Sequence, residues 1–98
     1  MAATRRVLVT NKKGLHARAA AKLVKTANEF QSRINVTRLP RVNEKMEPST
    51  VTARSILGLL MLAAEPGVEL ELTADGPDEA LALAALEELI GNKFGEGE

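Results

Sequence analysis

Apolar and polar residues alternate in several short segments of the chain, and this spacing predicts β-strands. The clearest alternation lies in residues 68–73, where every second side chain is apolar. Residues 5–10 and 33–38 combine alternation with β-branched side chains, which favour the pleated surface of a sheet. A shorter strand is predicted at residues 50–52. Such alternation is expected of strands with one buried face.

Other segments carry helical spacing, or the residues that begin and end helices. Residues 17–30 place apolar side chains at i, i+3, i+4 and i+7, on one face of a helix. Ser55 is placed to cap a short apolar helix at residues 56–62, which Pro66 and Gly67 follow. A last helix is predicted from Pro77 to Gly91, because proline suits a first helical turn and glycine a stop.

The order strand, helix, strand, strand, helix, strand, helix predicts an α+β fold, with helices on one face of a mostly antiparallel sheet. A chain of 98 residues, 45% of them hydrophobic, allows one domain over residues 1–98 with one core. Residues 39–48 contain two prolines and are predicted to form a long exposed loop. Residues 91–98, rich in glycine and glutamate, are predicted to fray.

Composition excludes several classes of function. The chain has no cysteine and one histidine, so disulfides, thiolate catalysis and histidine-rich metal sites are excluded, and we expect no metal or cofactor. No run approaches the roughly 20 apolar residues of a membrane span, and no apolar signal segment opens the chain, so a cytoplasmic location is expected. With only Phe30 and Phe94 as aromatic residues, nucleic acid binding is disfavoured.

The charge is strongly polarised along the chain. Residues 1–54 hold 12 Lys and Arg against 3 Asp and Glu, whereas residues 55–98 hold 1 against 10. If the basic half forms one face, that face would attract acidic partners. The alternative, to which we give equal weight, is that basic and acidic side chains are intermixed on the folded surface.

The only histidine, His16, follows Gly14 closely and precedes the first predicted helix. Histidine is a poor helix N-cap, so a chemical role explains this position better than local stability does. The unpaired backbone amides of Ala17 and Arg18 could bind a phosphoryl group bonded to His16, and the Arg18 guanidinium could add further hydrogen bonds.

Several motifs resemble one known family. They are Gly14-Leu15-His16-Ala17-Arg18, Ala20-Ala21, Arg54-Ser55-Ile56-Leu57-Gly58 and Pro66-Gly67 before an alternating strand. With these motifs the chain resembles the histidine-containing phosphocarrier (HPr) family of the phosphoenolpyruvate-dependent phosphotransferase system. Two further pieces, Asn11-Lys12 and Phe94-Gly95-Glu96, are more similar to its nitrogen-regulatory branch (NPr) than to its sugar branch.

The resemblance implies an open-faced β-sandwich, a four-stranded antiparallel sheet with three helices on one face. It also implies a phosphoryl carrier rather than a free-standing turnover enzyme. His16 would accept the group at Nδ1 from enzyme I and pass it to an enzyme IIA-type acceptor, assisted by Arg18, in sugar uptake or nitrogen-related regulation. We expect a monomer.

The chain departs from the family pattern in two places. Ala19 stands where the family has proline, which is expected to loosen the first helical turn, and residues 39–48 are longer than the family hairpin.

Ser55 and the apolar residues after it allow two interpretations each. Ser55 is expected to cap its helix, and by resemblance it is also a candidate for regulatory phosphorylation by a serine kinase. The apolar residues cannot all face inward from one short helix, so an exposed edge is predicted to form a partner-docking patch beside His16. The alternative is a buried core stripe. The candidate docking residues are Ile56, Leu59, Leu60 and Met61.

Two other functions compete with the carrier. A hydrolase or nuclease using His16 and Arg18 on a phosphate ester would normally need a second acid or base, and no second histidine exists. A noncatalytic regulatory module controlled by phosphorylation of Ser55 would leave His16 incidental.

Overall fold

The alternating segments form one antiparallel sheet of four strands in the order β1-β4-β2-β3. The computed structural model describes residues 2–97. The strands are β1 (Ala3–Leu8), β2 (Arg33–Arg38), β3 (Ser49–Thr52) and β4 (Glu69–Asp75). The helices are α1 (Ala17–Ala27), α2 (Ile56–Met61) and α3 (Glu79–Gly91), followed by a 3-10 turn at Lys93–Gly95. The predicted α+β open-faced sandwich is confirmed.

The sheet buries one face because apolar side chains meet across neighbouring strands. Val7 of β1 lies opposite Leu70 of β4, and Leu72 lies opposite Val36 of β2, and all four side chains are buried. Their neighbours along β2 and β4 are polar and more exposed, and on that face the hydroxyl oxygens of Thr37 and Thr50 are 2.7 Å apart. The helices cover the buried face, so the core lies between the two layers.

The first helix is shorter than its apolar pattern predicts. It ends at Ala27, although the prediction extended it to Phe30. One guanidinium nitrogen of Arg54 donates hydrogen bonds to the carbonyl oxygens of Ala27 and Phe30, at 3.1 and 2.7 Å. A cation at this point stabilises the carbonyl groups that a helix end leaves unpaired, and it ties α1 to the loop before α2.

The loop at residues 39–48 folds back onto the end of β2. Arg38 is only 4% exposed, and its guanidinium donates to both carboxylate oxygens of Glu44, each at 3.1 Å. The Glu44 carboxylate also accepts a hydrogen bond from the backbone amide of Arg41, and the bond from Arg38, with that from Arg41, lowers its pKa. The predicted loop is therefore present, but the buried guanidinium of Arg38 holds it against the end of β2.

The chain end contradicts the predicted frayed tail. Phe94 is 1% exposed and belongs to the hydrophobic core. Lys22 of α1 donates to the Phe94 carbonyl oxygen at 2.6 Å, which anchors the segment after α3. The composition of residues 91–98 suggested disorder, but burial of one aromatic ring is enough to hold the described part, through Gly97, against α1.

Asp78 gives the fold a pH-dependent contact. Its carboxylate accepts hydrogen bonds from the backbone amides of Gln31 and Ser32, at 2.9 and 3.0 Å, and so joins the start of α3 to the entrance of β2. Bonds from the Ser32 hydroxyl and from the Gln31 amide lower the pKa of Asp78 below its ordinary value.

Because that pKa is lowered on folding, the contact stabilises the protein above the ordinary aspartate pKa and the benefit is lost as pH falls through the folded value. We expect Asp78→Asn to be less stable than the wild type near neutral pH, and the difference to shrink progressively below about pH 4. Urea unfolding at several pH values measures this, and a gap that stays constant with pH would contradict it.

Within residues 2–97, no helix combines the length and the apolar character that crossing a bilayer requires.

Candidate functional site

His16 occupies the N-cap position of α1, as the sequence predicts. Its backbone is extended, with φ −82° and ψ −178°, and its carbonyl oxygen accepts from the Ala20 amide at 2.8 Å. The ring nitrogen Nδ1 accepts from the backbone amide of Arg18 at 3.3 Å. The Nδ1 lone pair therefore points at the Arg18 amide in the first turn, and the side chain is 26% exposed.

The first turn of α1 is regular despite Ala19. This residue is fully buried, the helix begins at Ala17, and the bond from Ala20 to His16 closes the turn. The expected loosening is therefore wrong, because alanine has a high helix propensity and its side chain packs into the core.

Gly14 allows the backbone to reach this corner. It has φ +64°, a conformation that side-chain-bearing residues rarely adopt, and a Cβ atom there would lie 2.4 Å from the carbonyl oxygen of Ala64. The next residue, Leu15, donates its amide to that same oxygen at 2.8 Å. The corner that carries His16 is thus held directly against the chain that follows α2.

The second ring nitrogen of His16 has a partner that the sequence did not reveal. Nε2 is hydrogen-bonded to the Glu96 carboxylate oxygen Oε2. The other oxygen, Oε1, accepts from the side-chain amide of Asn11 at 3.0 Å, and that amide nitrogen also donates to the Gly14 carbonyl at 2.8 Å. Glu96 lies in the segment predicted to fray, and although Phe94-Gly95-Glu96 is one of the family-like motifs, nothing in that motif indicated a contact with His16.

Glu96 is ionised in this setting. Burial raises the pKa of its carboxyl group, but the hydrogen bonds from His16 and Asn11, with the positive charge of Lys22, lower it more. The net pKa is below that of an ordinary glutamate, so a carboxylate faces the imidazole near neutral pH.

Cations surround the imidazole in an open cleft. The cleft has a volume of about 350 Å³, and Gly95 and Glu96 are among the residues that line it. The other lining residues are His16, Lys12, Lys13, Arg18 and Lys22. The basic N-terminal half therefore contributes four cationic side chains to the site, and this arrangement is suited to an anionic group. The structure holds no cluster of three or more His, Asp or Glu side chains in residues 2–97 that could bind a metal ion.

Helix α2 exposes three of the four predicted docking residues and buries the fourth. Ile56, Leu60 and Met61 are 43%, 36% and 76% exposed, but Leu59 is fully buried. The assignment of Leu59 to the docking patch is wrong, because a six-residue helix must turn one face to the core and Leu59 occupies it. Leu57, which was not predicted, is 70% exposed and extends the apolar surface.

Ser55 is the N-cap of α2, as predicted. Its hydroxyl oxygen accepts from the Gly58 amide at 2.9 Å. Regulatory phosphorylation of Ser55 stays a prediction. A phosphate on this oxygen would place negative charge beside the exposed Ile56 and would weaken docking of an apolar surface there.

Comparison with known proteins identifies the family of this chain. A family model described as the PTS HPr component phosphorylation site matches residues 3–92. The chain belongs to the HPr family. It is a phosphocarrier protein of the phosphotransferase system, as the sequence predicts, and these findings do not favour the noncatalytic alternative.

Relatives in sequence and structure span nearly the whole chain. The phosphocarrier protein HPr of Neisseria meningitidis serogroup A is 48% identical over 90 residues, which cover 92% of each chain. The phosphocarrier protein HPr of Pseudomonas aeruginosa is 45% identical over 92 residues, or 94% of each chain. The crystal structure of HPr-C-His from Thermoanaerobacter tengcongensis aligns with a TM-score of 0.80 at 40% identity, covering 96% of this chain and 97% of that one.

Proposed function

We propose that His16 is the phosphoryl acceptor of this carrier. Enzyme I, once phosphorylated by phosphoenolpyruvate, would donate the group to Nδ1, and an enzyme IIA-type protein would take it from there. The observation that carries the proposal is the direction of the Nδ1 lone pair, which points at the Arg18 amide in the first helical turn, in a cleft lined by cations.

Phosphoryl transfer asks the protein mainly for positioning and charge stabilisation, because the transition state is loose and most negative charge stays on the phosphoryl oxygens. The lone pair of Nδ1 forms the new N–P bond while the bond between phosphorus and the donor breaks. The amides of Ala17 and Arg18 and the Arg18 guanidinium would hold the phosphoryl oxygens. No metal or second catalytic acid is needed for this step.

The exposed side chains of α2 are the proposed docking surface for both partners. Ile56, Leu60 and Met61 present apolar area on a helix that packs against α1, which carries His16 at its N-terminus. The basic residues of the cleft add charge that would guide acidic partner surfaces. A carrier has to leave each partner quickly, so a small interface of this kind suits a monomer that binds transiently.

Labelling with isotopic phosphoenolpyruvate and catalytic enzyme I tests the proposal. We expect one phosphoryl group per chain, lost in acid as an N–P bond is and kept in base. Running the reaction with a sugar-branch and a nitrogen-branch enzyme I shows which branch the carrier serves. Absence of label with both enzymes, or a label that survives acid and therefore sits on a hydroxyl group, would overturn the proposal.

A further inference from the structure

We infer that Glu96 is a positioning residue for His16: it holds the ring in the tautomer with its proton on Nε2, so that Nδ1 carries no proton and its lone pair can attack the phosphoryl group. This role rests on the proposed function of His16. It assigns a catalytic purpose to the chain end, which the sequence predicted to be frayed.

Tertiary packing brings Glu96 to the ring from the far end of the chain. The Phe94 ring is buried in the core, and the backbone carbonyl oxygen of Phe94 accepts a hydrogen bond from Lys22 at 2.6 Å. The backbone then turns through Gly95, at φ +75°, and the Glu96 amide donates to the Lys93 carbonyl at 3.0 Å. The Glu96 side chain is only 16% exposed, so its carboxylate is fixed against His16 rather than free in solvent.

The donor and the acceptor of each hydrogen bond between Asn11, Gly14 and Glu96 can be assigned in only one way. The Gly14 carbonyl is an acceptor, so the Asn11 side chain must turn its NH₂ group toward it, and the second N–H of that group then meets Glu96 Oε1. The opposite orientation would aim Asn11 Oδ1 at two acceptor oxygens. Among residues 2–97 this Oδ1 has no hydrogen-bond partner, so no donor favours the opposite orientation of the Asn11 amide.

The same logic continues to the imidazole. An ionised carboxylate only accepts, so Nε2 must carry the proton that is shared with Glu96 Oε2. On the other side of the ring, the backbone amide of Arg18 only donates, so Nδ1 must be the acceptor. Glu96 and Arg18 therefore favour one tautomer from opposite sides, and that tautomer has its lone pair at the proposed attacking atom.

The carboxylate also matches the charge that develops on the ring. When Nδ1 attacks phosphorus, the N–P bond forms, the donor's bond to phosphorus breaks and the proton stays on Nε2, so the ring becomes cationic. Glu96 faces the nitrogen that carries this proton and stabilises the charge. Onward transfer reverses these changes and returns the neutral ring, with the same proton still bound to Nε2.

Replacing Glu96 by glutamine gives a result that a merely structural role would not. Asn11 requires an acceptor, so the glutamine carbonyl would face Asn11 and the glutamine NH₂ group would face Nε2. Nε2 would then become an acceptor and the proton would move to Nδ1, where it would oppose the Arg18 amide. Alanine at position 96 removes the hydrogen-bond acceptor from Nε2 but puts no donor in its place. The isosteric variant E96Q should therefore be more harmful than E96A.

The experiment compares wild type, E96Q, E96A and the control E87Q, which changes an exposed acid on α3. Nitrogen-15 NMR of labelled histidine, at a pH where the ring is neutral, reports the tautomer without any partner protein. Enzyme I and phosphoenolpyruvate then give the rate of phosphoryl acceptance.

We expect wild type and E87Q to hold the proton on Nε2, E96A to show a mixture of the two tautomers, and E96Q to hold the proton on Nδ1. We expect E96Q to accept about tenfold more slowly than wild type, the factor that one ordinary hydrogen bond imposes on such an equilibrium.

The tautomer measurement separates this role from the proposed function. If E96Q keeps the proton on Nε2, or accepts phosphoryl groups as fast as E96A, Glu96 does not position the ring. If the NMR result holds but the wild-type protein takes no label at His16, the proposed function fails while the hydrogen-bond assignment stands.

Discussion

Replacing His16 by alanine should abolish phosphoryl acceptance from enzyme I, with a loss of at least about a thousandfold in the rate of labelling. The chain has no second histidine and no cysteine, so no other imidazole or thiolate could take over as the nucleophile. Alanine also removes the bond from the Arg18 amide to Nδ1, which caps α1 and is worth about 1 kcal/mol of stability. It removes the Nε2 bond to Glu96 as well, but that carboxylate keeps its bond from Asn11. The protein should therefore stay folded while it loses activity.

The measurement is a time course of label from isotopic phosphoenolpyruvate, with circular dichroism to confirm the fold. Ser55→Ala is the matched control, because it removes a cap from α2 as His16→Ala removes one from α1, yet leaves the imidazole in place. We expect the Ser55 variant to be labelled in full. Equal labelling of the His16 variant and the wild type would show that the acceptor lies elsewhere.

Replacing Phe94 by alanine should cost about 3–5 kcal/mol of unfolding free energy, which is a large part of the stability of a small domain. The ring is 1% exposed and is one of the largest side chains in the core, so its removal leaves a cavity beneath the last segment. Phe30→Ala is the comparison, because that ring is only partly buried and its loss should cost less. Urea denaturation of the two variants measures the difference.

The same substitution should disturb the chemistry of His16. Without the Phe94 anchor, the segment that carries Glu96 keeps only polar contacts, the bond from Lys22 and those of Glu96 with Asn11 and His16, so the carboxylate should spend less time against Nε2. We expect the His16 tautomer in this variant to resemble that of E96A. A Phe94 variant as stable as the Phe30 variant, with an unchanged tautomer, would show that the chain end does not support the site.

The sequence by itself determined the sheet, the helices and the position of the imidazole. Alternation places Leu70 and Leu72 on one face of β4 whatever the rest of the chain does, because side chains along a strand point to opposite faces in turn. His16 could be assigned to the start of α1 because the glycine before it and the helical spacing after it are local signals. The cap made by Ser55 is local in the same way.

Only the tertiary structure decided which residues meet at the site. Leu59 and Leu60 are adjacent and chemically alike, and the position of the core beside α2 buries the first and exposes the second. Likewise, a glycine-rich end is polar in composition, yet one buried ring at Phe94 fixes it and carries Glu96 to a histidine 80 residues away. Local patterns encode backbone geometry and periodicity, whereas a contact across that distance depends on how the finished layers pack, which no short segment contains.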